Sequence, residues 1–300
     1  MLETSRWALL AGFVGTMALV VLSDSVQPRP KTERPASFLY VWTGDADTTS
    51  SDFLAVIDVR RGSATYAQVI ATVPVGAKGT GPHHTEHQVE RDGILFANGF
   101  GAGRTFRFDV NQAASPKLLG SFTNAGDYSF PHSYARLDNG NVLVTLQGMH
   151  GKYGAPGGLA ELAPDGAVVR TVSAKSAATP DELVWPYSLA VLPGKDRAVV
   201  TLAEMGWPGE AYKTTRQVQV WSPSDLKLLG TADLPESGLG VHHTDPAEAR
   251  VLGDGTVYVG TFSCGVYRLD GVIEGAPKAT FVHAFPGGTE MHNACAVPVV

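Results

Sequence analysis

The feature that most constrains this chain is a unit of short strands and Gly-containing turns that recurs four times. Its turns are Arg91-Asp92-Gly93, Asp138-Asn139-Gly140, Pro193-Gly194-Lys195-Asp196 and Gly253-Asp254-Gly255. Asp-Gly and Asn-Gly supply the positive φ angles that tight hairpins need. An apolar run follows each turn: Ile94-Leu95-Phe96-Ala97, Val142-Leu143-Val144-Thr145, Ala198-Val199-Val200-Thr201 and Val257-Tyr258-Val259-Gly260. Third strands are expected at 105–110, 158–162, 218–221 and 265–269, and last strands near 117–120, 167–172, 227–232 and 279–283. A period of about 45–60 residues suits four-stranded propeller blades. One such sheet cannot bury both faces alone, so neighbours must stack.

The expected fold is therefore all-β, a β-propeller of four-stranded blades. It is preferred to a β-sandwich of the same strands because the four-strand unit repeats in order. The segment before each turn becomes the innermost strand, facing the central channel. Strands at 38–42, 53–57 and 67–75 precede the first unit and lack an inner strand of their own. Residues 291–300 look like an inner strand lacking the other three. Together these pieces would complete a blade and close a ring of five. The alternative is an incomplete seven-bladed propeller.

Composition sets further bounds. With 44% hydrophobic and 17% charged residues, and 34 Gly and 19 Pro, the chain is packed and turn-rich. A net charge of −6 without a basic run argues against a nucleic-acid partner. Residues 7–22 carry no charge. That run is short of the ~20 residues of a membrane span and suits the core of an export signal. Residues 1–23 are read as a signal peptide or a retained membrane anchor, 24–37 as a Pro-rich linker and 38–300 as the propeller domain. The expected location is periplasmic or extracellular. Cys264 and Cys295 allow either one disulfide or two separately buried thiols.

Three of the nine histidines crowd into Gly81-Pro82-His83-His84-Thr85-Glu86-His87. Others stand at Pro131-His132, His242-His243 and Met291-His292. Imidazole is the commonest metal-binding side chain. On a regular strand His83, Thr85 and His87 point one way, and His84 and Glu86 the other. One segment then offers at most two imidazoles to one side, and other blades must supply the rest. The candidate metal ligands are His83, His84, His132, His243 and His292, with His242 as an alternative to His243. His87 is expected to hydrogen-bond the next blade, and His150 and His283 to lie at the surface. Glu86 and Glu248 are candidate proton acceptors or carboxylates that orient an imidazole, and Glu204 could orient one too. The tryptophans are expected in the core. No GxSxG, Walker loop or helix-opening GxGxxG is present, which argues against a nucleotide site.

Several segments, in order, resemble the selenium-binding protein/methanethiol oxidase family. They are Tyr40-Val41-Trp42, Asp52-Phe53-Leu54-Ala55-Val56-Ile57-Asp58-Val59, Pro82-His83-His84-Thr85, Pro131-His132-Ser133, Val218-Gln219-Val220-Trp221, Pro246-Ala247-Glu248-Ala249-Arg250 and Gly260-Thr261-Phe262-Ser263-Cys264-Gly265-Val266-Tyr267-Arg268. The resemblance covers most of residues 38–285. It implies a propeller that holds copper through histidines, and an exported enzyme that oxidises methanethiol with O2 to formaldehyde, hydrogen sulfide and hydrogen peroxide. His83, His84 and His132 match the family's copper histidines, and His292 matches less closely. The chain lacks the cysteine pair that follows the His-His motif in many members, and it is more than a hundred residues shorter. Two other classes remain open: a propeller lactonase or hydrolase with a hard cation, and a non-catalytic propeller that binds metal or protein.

Overall fold

The computed structural model describes residues 37–89, 92–206, 211–240 and 242–286. All of them lie in one compact unit, Ala36–Val300. Among the described residues there are twenty strands, two single-turn 3-10 segments and no α-helix. The strands form five antiparallel meanders. The first holds β1 (Phe38–Thr43), β2 (Phe53–Asp58) and β3 (Val69–Pro74). The second holds β4 (Pro82–Thr85), β5 (Ile94–Gly99), β6 (Arg104–Asp109) and β7 (Lys117–Phe122). The third runs from β8 (Asn124–Ala125) through β9 (Tyr128–Arg136), β10 (Val142–Met149) and β11 (Lys152–Leu162) to β12 (Val168–Ser173). The fourth comprises β13 (Pro186–Val191), β14 (Ala198–Leu202), β15 (Gln217–Ser222) and β16 (Lys227–Asp233). The fifth comprises β17 (Pro246–Val251), β18 (Val257–Thr261), β19 (Gly265–Asp270) and β20 (Lys278–Ala284).

These sheets are propeller blades. The inner strands of successive blades are neighbours: β4 lies against β9, β9 against β13 and β13 against β17, while β4 also meets β1. Apolar side chains fill the seams between blades, because each sheet has a face that only its neighbour can cover. Leu54 and Val73 meet Leu95, Phe106 and Phe108 across the first seam. Phe96 meets Tyr134, Val142 and Val144 across the second. Leu143 and Leu159 meet Leu189, Val200 and Trp221 across the third. Val199 and Val218 meet Ala249, Val259 and Tyr267 across the fourth. Trp42 and Trp221 are thus seam residues, as expected. Trp42 packs on Phe106 and Phe108 at ring separations of 5.3 and 5.6 Å.

The third blade departs from the expected unit. Its middle strands run past the blade length into a hairpin that pairs Met149 with Lys152, and β8 adds a fifth strand. His150 sits exposed at that hairpin turn. Cys264 is buried and disulfide-bonded rather than a free thiol, and the chain's other cysteine lies outside the described residues. The expected export segment, most of the expected linker, His292 and residues 291–300, expected to form a closing strand, also lie outside them. No helix among the described residues is long and apolar enough to cross a membrane.

Candidate metal centre

Each inner strand of the four complete blades carries a proline: Pro82, Pro186 and Pro246 open β4, β13 and β17, and Pro131 is the fourth residue of β9. Pairing with the second strand slips at the same place in all four. Pro82 opposes Gly99 and Thr85 opposes Ala97, so three steps on β4 match two on β5. Pro131 and Tyr134 oppose Leu146 and Val144 in the same way. So do Pro186 and Leu189 against Leu202 and Val200, and Pro246 and Ala249 against Thr261 and Val259. Each slip is a β-bulge, in which two residues oppose one and the side chains are re-aimed. The paired residues are His83-His84, His132-Ser133, Tyr187-Ser188 and Ala247-Glu248.

The bulge overturns the strand alternation expected for the His-His segment. His83 and His84 do not diverge to opposite faces. Their ring centroids are 4.4 Å apart, and His132 from the next blade lies 4.8 Å from His83 and 4.5 Å from His84. One nitrogen from each ring can be chosen so that all three lie within 4.8 Å of one another. Among the described residues, this is the group of His, Cys, Asp and Glu side chains placed to hold a metal ion.

Local contacts hold each ligand strand. The chain enters β4 through Gly81, whose φ is +68° and whose Cα faces the Gly101 backbone so closely that a Cβ would sit 2.7 Å from the Gly101 nitrogen. Just before it, buried Asp52 accepts hydrogen bonds from the Thr80 N–H and hydroxyl, both at 2.6 Å. Phe130 and Asp245, which precede Pro131 and Pro246, also have positive φ, at 56° and 59°. Strained backbone of this kind costs ~1–3 kcal/mol per residue and gathers at functional sites.

The electrostatics favour neutral imidazoles. His83 keeps an exposed edge, but the protein packed around the rest of its ring, helped by neighbouring His84, pulls it down to about 4. Burial also takes His84 to about 4, with His87 and Arg250 adding to the effect. His132 is fully buried and held well below the ordinary histidine range, first by burial and then by the other two rings. Its Nδ1 lies 2.9 Å from the Tyr187 carbonyl oxygen, so Nδ1 carries the proton and donates it. Nε2 is then a lone-pair donor, and it is buried with no hydrogen-bond partner. A buried imidazole with one nitrogen anchored and the other unpartnered is how proteins present histidine to a metal. His83, His84 and His132 would be the residues to hold such an ion, each through one ring nitrogen. The residues present fit an imidazole-binding ion.

Glu248 sits beside this group. Its Oε1 is 3.8 Å from His84 Nε2, while Oε2 accepts from Ser188 Oγ at 2.9 Å and Arg250 at 2.8 Å. Tyr187 stacks on His132 with 3.8 Å between centroids, and its hydroxyl lies 3.5 Å from His83 Nε2. Burial, then Glu248, raises the Tyr187 phenol above its ordinary range, so it stays protonated. Phe100 lies 5.5 Å from His132 and begins an aromatic wall that continues through Tyr153 to Trp185. Sequence reading missed Tyr187, Phe100 and Tyr153 as neighbours of the site. The signal for Tyr187 was present: Pro186-Tyr187-Ser188 occupies the same place as Pro131-His132-Ser133.

The remaining candidates stand elsewhere. Both oxygens of Glu86 are engaged by Arg136, at 3.0 and 3.1 Å, and the Phe96 N–H adds a third hydrogen bond. It is a blade-to-blade ion pair rather than a free base, and burial still pushes its carboxyl up to about 7 against the pull of Arg136. His243 is buried outside the imidazole group, stacked 5.6 Å from Phe281 with Nδ1 on the Ser263 carbonyl. His242 bonds Arg216 and Glu236 at the surface. His87 is exposed, and the Glu204 carboxylate accepts from the Lys213 N–H.

Known proteins resemble this chain in sequence and in fold. A methanethiol oxidase of Ruegeria pomeroyi is 33% identical over 149 residues, covering 47% of this chain and 34% of the relative. One from a Hyphomicrobium species is 29% identical over 200 residues, covering 64% and 44%. The matches thus span less than half the length of these curated relatives. No family model matches the chain. Among solved structures, a hypothetical selenium-binding protein from Sulfolobus tokodaii superposes with a TM-score of 0.67 at 16% identity, over 85% of this chain and 62% of that one. A streptogramin B lyase gives 0.54 at 12% identity, over 86% and 72%, which speaks to the propeller fold alone. In fold, and in the order of its motifs, the chain resembles the selenium-binding protein/methanethiol oxidase family.

Proposed function

We propose that this chain is an exported, copper-dependent thiol oxidase of the methanethiol oxidase type. The observation that carries the reading is the His83–His84–His132 group, with its buried, unpartnered His132 Nε2. Imidazole suits copper, and thiolate is a soft ligand that copper accepts readily. Bound there, copper would lower the pKa of a coordinating thiol and supply the one-electron chemistry that passes electrons to O2. The balanced reaction is methanethiol, O2 and water going to formaldehyde, hydrogen sulfide and hydrogen peroxide.

The chain's own residues divide the remaining work. Histidines from two adjacent inner strands occupy one side of the group, and Tyr187 and Ala247 stand on the next two. That leaves the Ala247 side without a bulky side chain at the equivalent position. Phe100 and its aromatic neighbours offer apolar contact to a methyl group. Glu248, 3.8 Å from His84 Nε2, is the carboxylate in hand for the thiol proton. Residues 7–22 supply the export signal in this reading.

The test is metal analysis of purified full-length protein together with O2 uptake on methanethiol. One copper per chain in the wild type, lost in His84→Ala and His132→Ala, is expected. Wild-type protein without stoichiometric copper, or variants that keep it, would sink the reading. Copper bound without thiol turnover would move the protein to the non-catalytic class.

A further inference from the structure

We infer that Asn98 is the positioning residue that sets the spacing between the His84 and His132 ligands. This rests on the metal reading above and deepens it. Asn98 stands on β5 opposite the His83-His84 bulge and is fully buried. Its Oδ1 accepts the His84 backbone N–H at 2.6 Å. Its Nδ2 donates to the carbonyls of Pro131 and His132 in the next blade, both at 2.9 Å. One side-chain amide therefore grips the backbone of two ligand residues on two different blades. Its own backbone is fixed from the other side, where Trp42 Nε1 donates to the Asn98 carbonyl at 2.6 Å.

The other seams show what this position does when fewer ligands are at stake. Thr145 holds it in the next blade: its hydroxyl accepts the Ser133 N–H at 3.0 Å and donates to the Tyr187 carbonyl at 2.6 Å. Thr201 repeats the arrangement, taking the Ser188 N–H at 3.0 Å and donating to the Ala247 carbonyl at 2.7 Å. A hydroxyl has one proton and can hold one carbonyl, whereas an amide has two N–H donors and can hold two. The amide stands at the seam that has metal-ligand histidines on both sides, and the hydroxyls stand at the other two. Plain blade-to-blade adhesion is met by threonine. The additional donor is spent on fixing the His132 segment relative to His84. Hydrogen-bond partners behind metal ligands hold them in orientation, and Asn98 does so for two ligand backbones at once.

The experiment compares wild type with Asn98→Ala, Asn98→Thr and Asn98→Asp, each titrated with a copper(II) salt against a competing chelator. Copper(II) electron paramagnetic resonance spectra are recorded alongside thermal unfolding of the metal-free chains. The expected result is copper binding about 10- to 100-fold weaker in Asn98→Ala, with an altered spectrum. Asn98→Thr, which restores the hydroxyl used at the other seams, is expected to recover metal-free stability while the spectrum stays shifted. Asn98→Asp keeps the acceptor for His84 but loses both donors, and is expected to bind weakly even if Asn98→Ala does not fold. Folded variants with wild-type affinity and spectrum overturn the inference while leaving the metal site standing. A wild-type chain that binds no copper overturns the metal reading, and this inference with it.

Discussion

Replacing Arg136 with methionine removes a buried guanidinium and leaves the Glu86 carboxyl behind. Glu86 is 5% exposed, and Arg136 meets it through two hydrogen bonds at 3.0 and 3.1 Å across a blade seam. Breaking a buried pair by removing one partner costs ~3–5 kcal/mol. For a domain of this size that is a fall in melting temperature of roughly 6–20 °C. The loss must depend on pH, and its sign follows from the carboxyl. Burial raises Glu86 to about 7, so the folded chain keeps a proton that the unfolded chain releases above about 4.5. Stability from such a group is fully present below the unfolded value and is lost as pH rises through the folded one. Arg136 opposes the shift, so without it the carboxyl rises further and the window of loss extends upward. Thermal unfolding of Arg136→Met and wild type at pH 5 and pH 8 should therefore show the smaller gap at pH 5. The double variant Glu86→Gln/Arg136→Met should recover much of the loss at pH 8, because a neutral amide needs no counter-charge. An equal gap at both values, or a larger one at pH 5, would refute the assignment of Glu86 to the seam.

Other consequences follow from the same geometry. His83 and His84 are held at about 4 by burial, so between about pH 6.5 and 4 the unfolded chain binds protons that the folded chain refuses. Stability present above pH 6.5 should fall as pH drops through that window, and His83→Gln/His84→Gln should flatten the fall in urea titrations of metal-free protein. Gly81→Ala asks an L-residue to hold φ +68° with its Cβ 2.7 Å from the Gly101 nitrogen. It should cost at least ~1–3 kcal/mol and weaken metal binding, because β4 begins at the next residue; wild-type affinity in calorimetry would refute the link. Phe108→Ala should cost ~3–5 kcal/mol in denaturant unfolding, since the ring is fully buried between Trp42 and the first seam; a loss under 1 kcal/mol would refute that packing.

The strands were legible because their signals are local. Each complete blade falls on an apolar run and a Gly-containing turn whose chemistry permits one main geometry. The ligands were legible in kind but not in direction. His83-His84 reads as alternating side chains only if β4 pairs regularly, and a bulge is a property of two strands rather than one. The bulge left a trace, though: a proline three residues before the resumption of regular pairing, at Pro82, Pro131, Pro186 and Pro246. Proline has no N–H to give to the ladder, so it suits the edge of an irregularity. The pairing of Glu86 with Arg136 is not legible in the sequence, because the two are fifty residues apart and only stacking of the blades joins them. The longer third blade was missed because Gly148, Gly151 and Gly154 look like a loop until Met149 is seen to pair with Lys152.

The repeated bulge also explains why a propeller of this kind can carry an asymmetric site. Four equivalent backbone positions face the channel, and their side chains read His83, His132, Tyr187 and Ala247, backed by His84, Ser133, Ser188 and Glu248. The backbone supplies the same aim at every blade, so chemistry is decided by substitution at eight positions without disturbing the fold. Here the imidazoles fall on two adjacent blades, and an aromatic ring and a methyl group fall on the next two. A metal held by His83, His84 and His132 would take its protein ligands from two blades, leaving the Tyr187 and Ala247 blades to receive a substrate. The Ser188–Glu248 hydrogen bond and the Glu248–His84 contact cross to the ligand side. The blades that give no histidine to the group therefore still stand beside it, through Glu248.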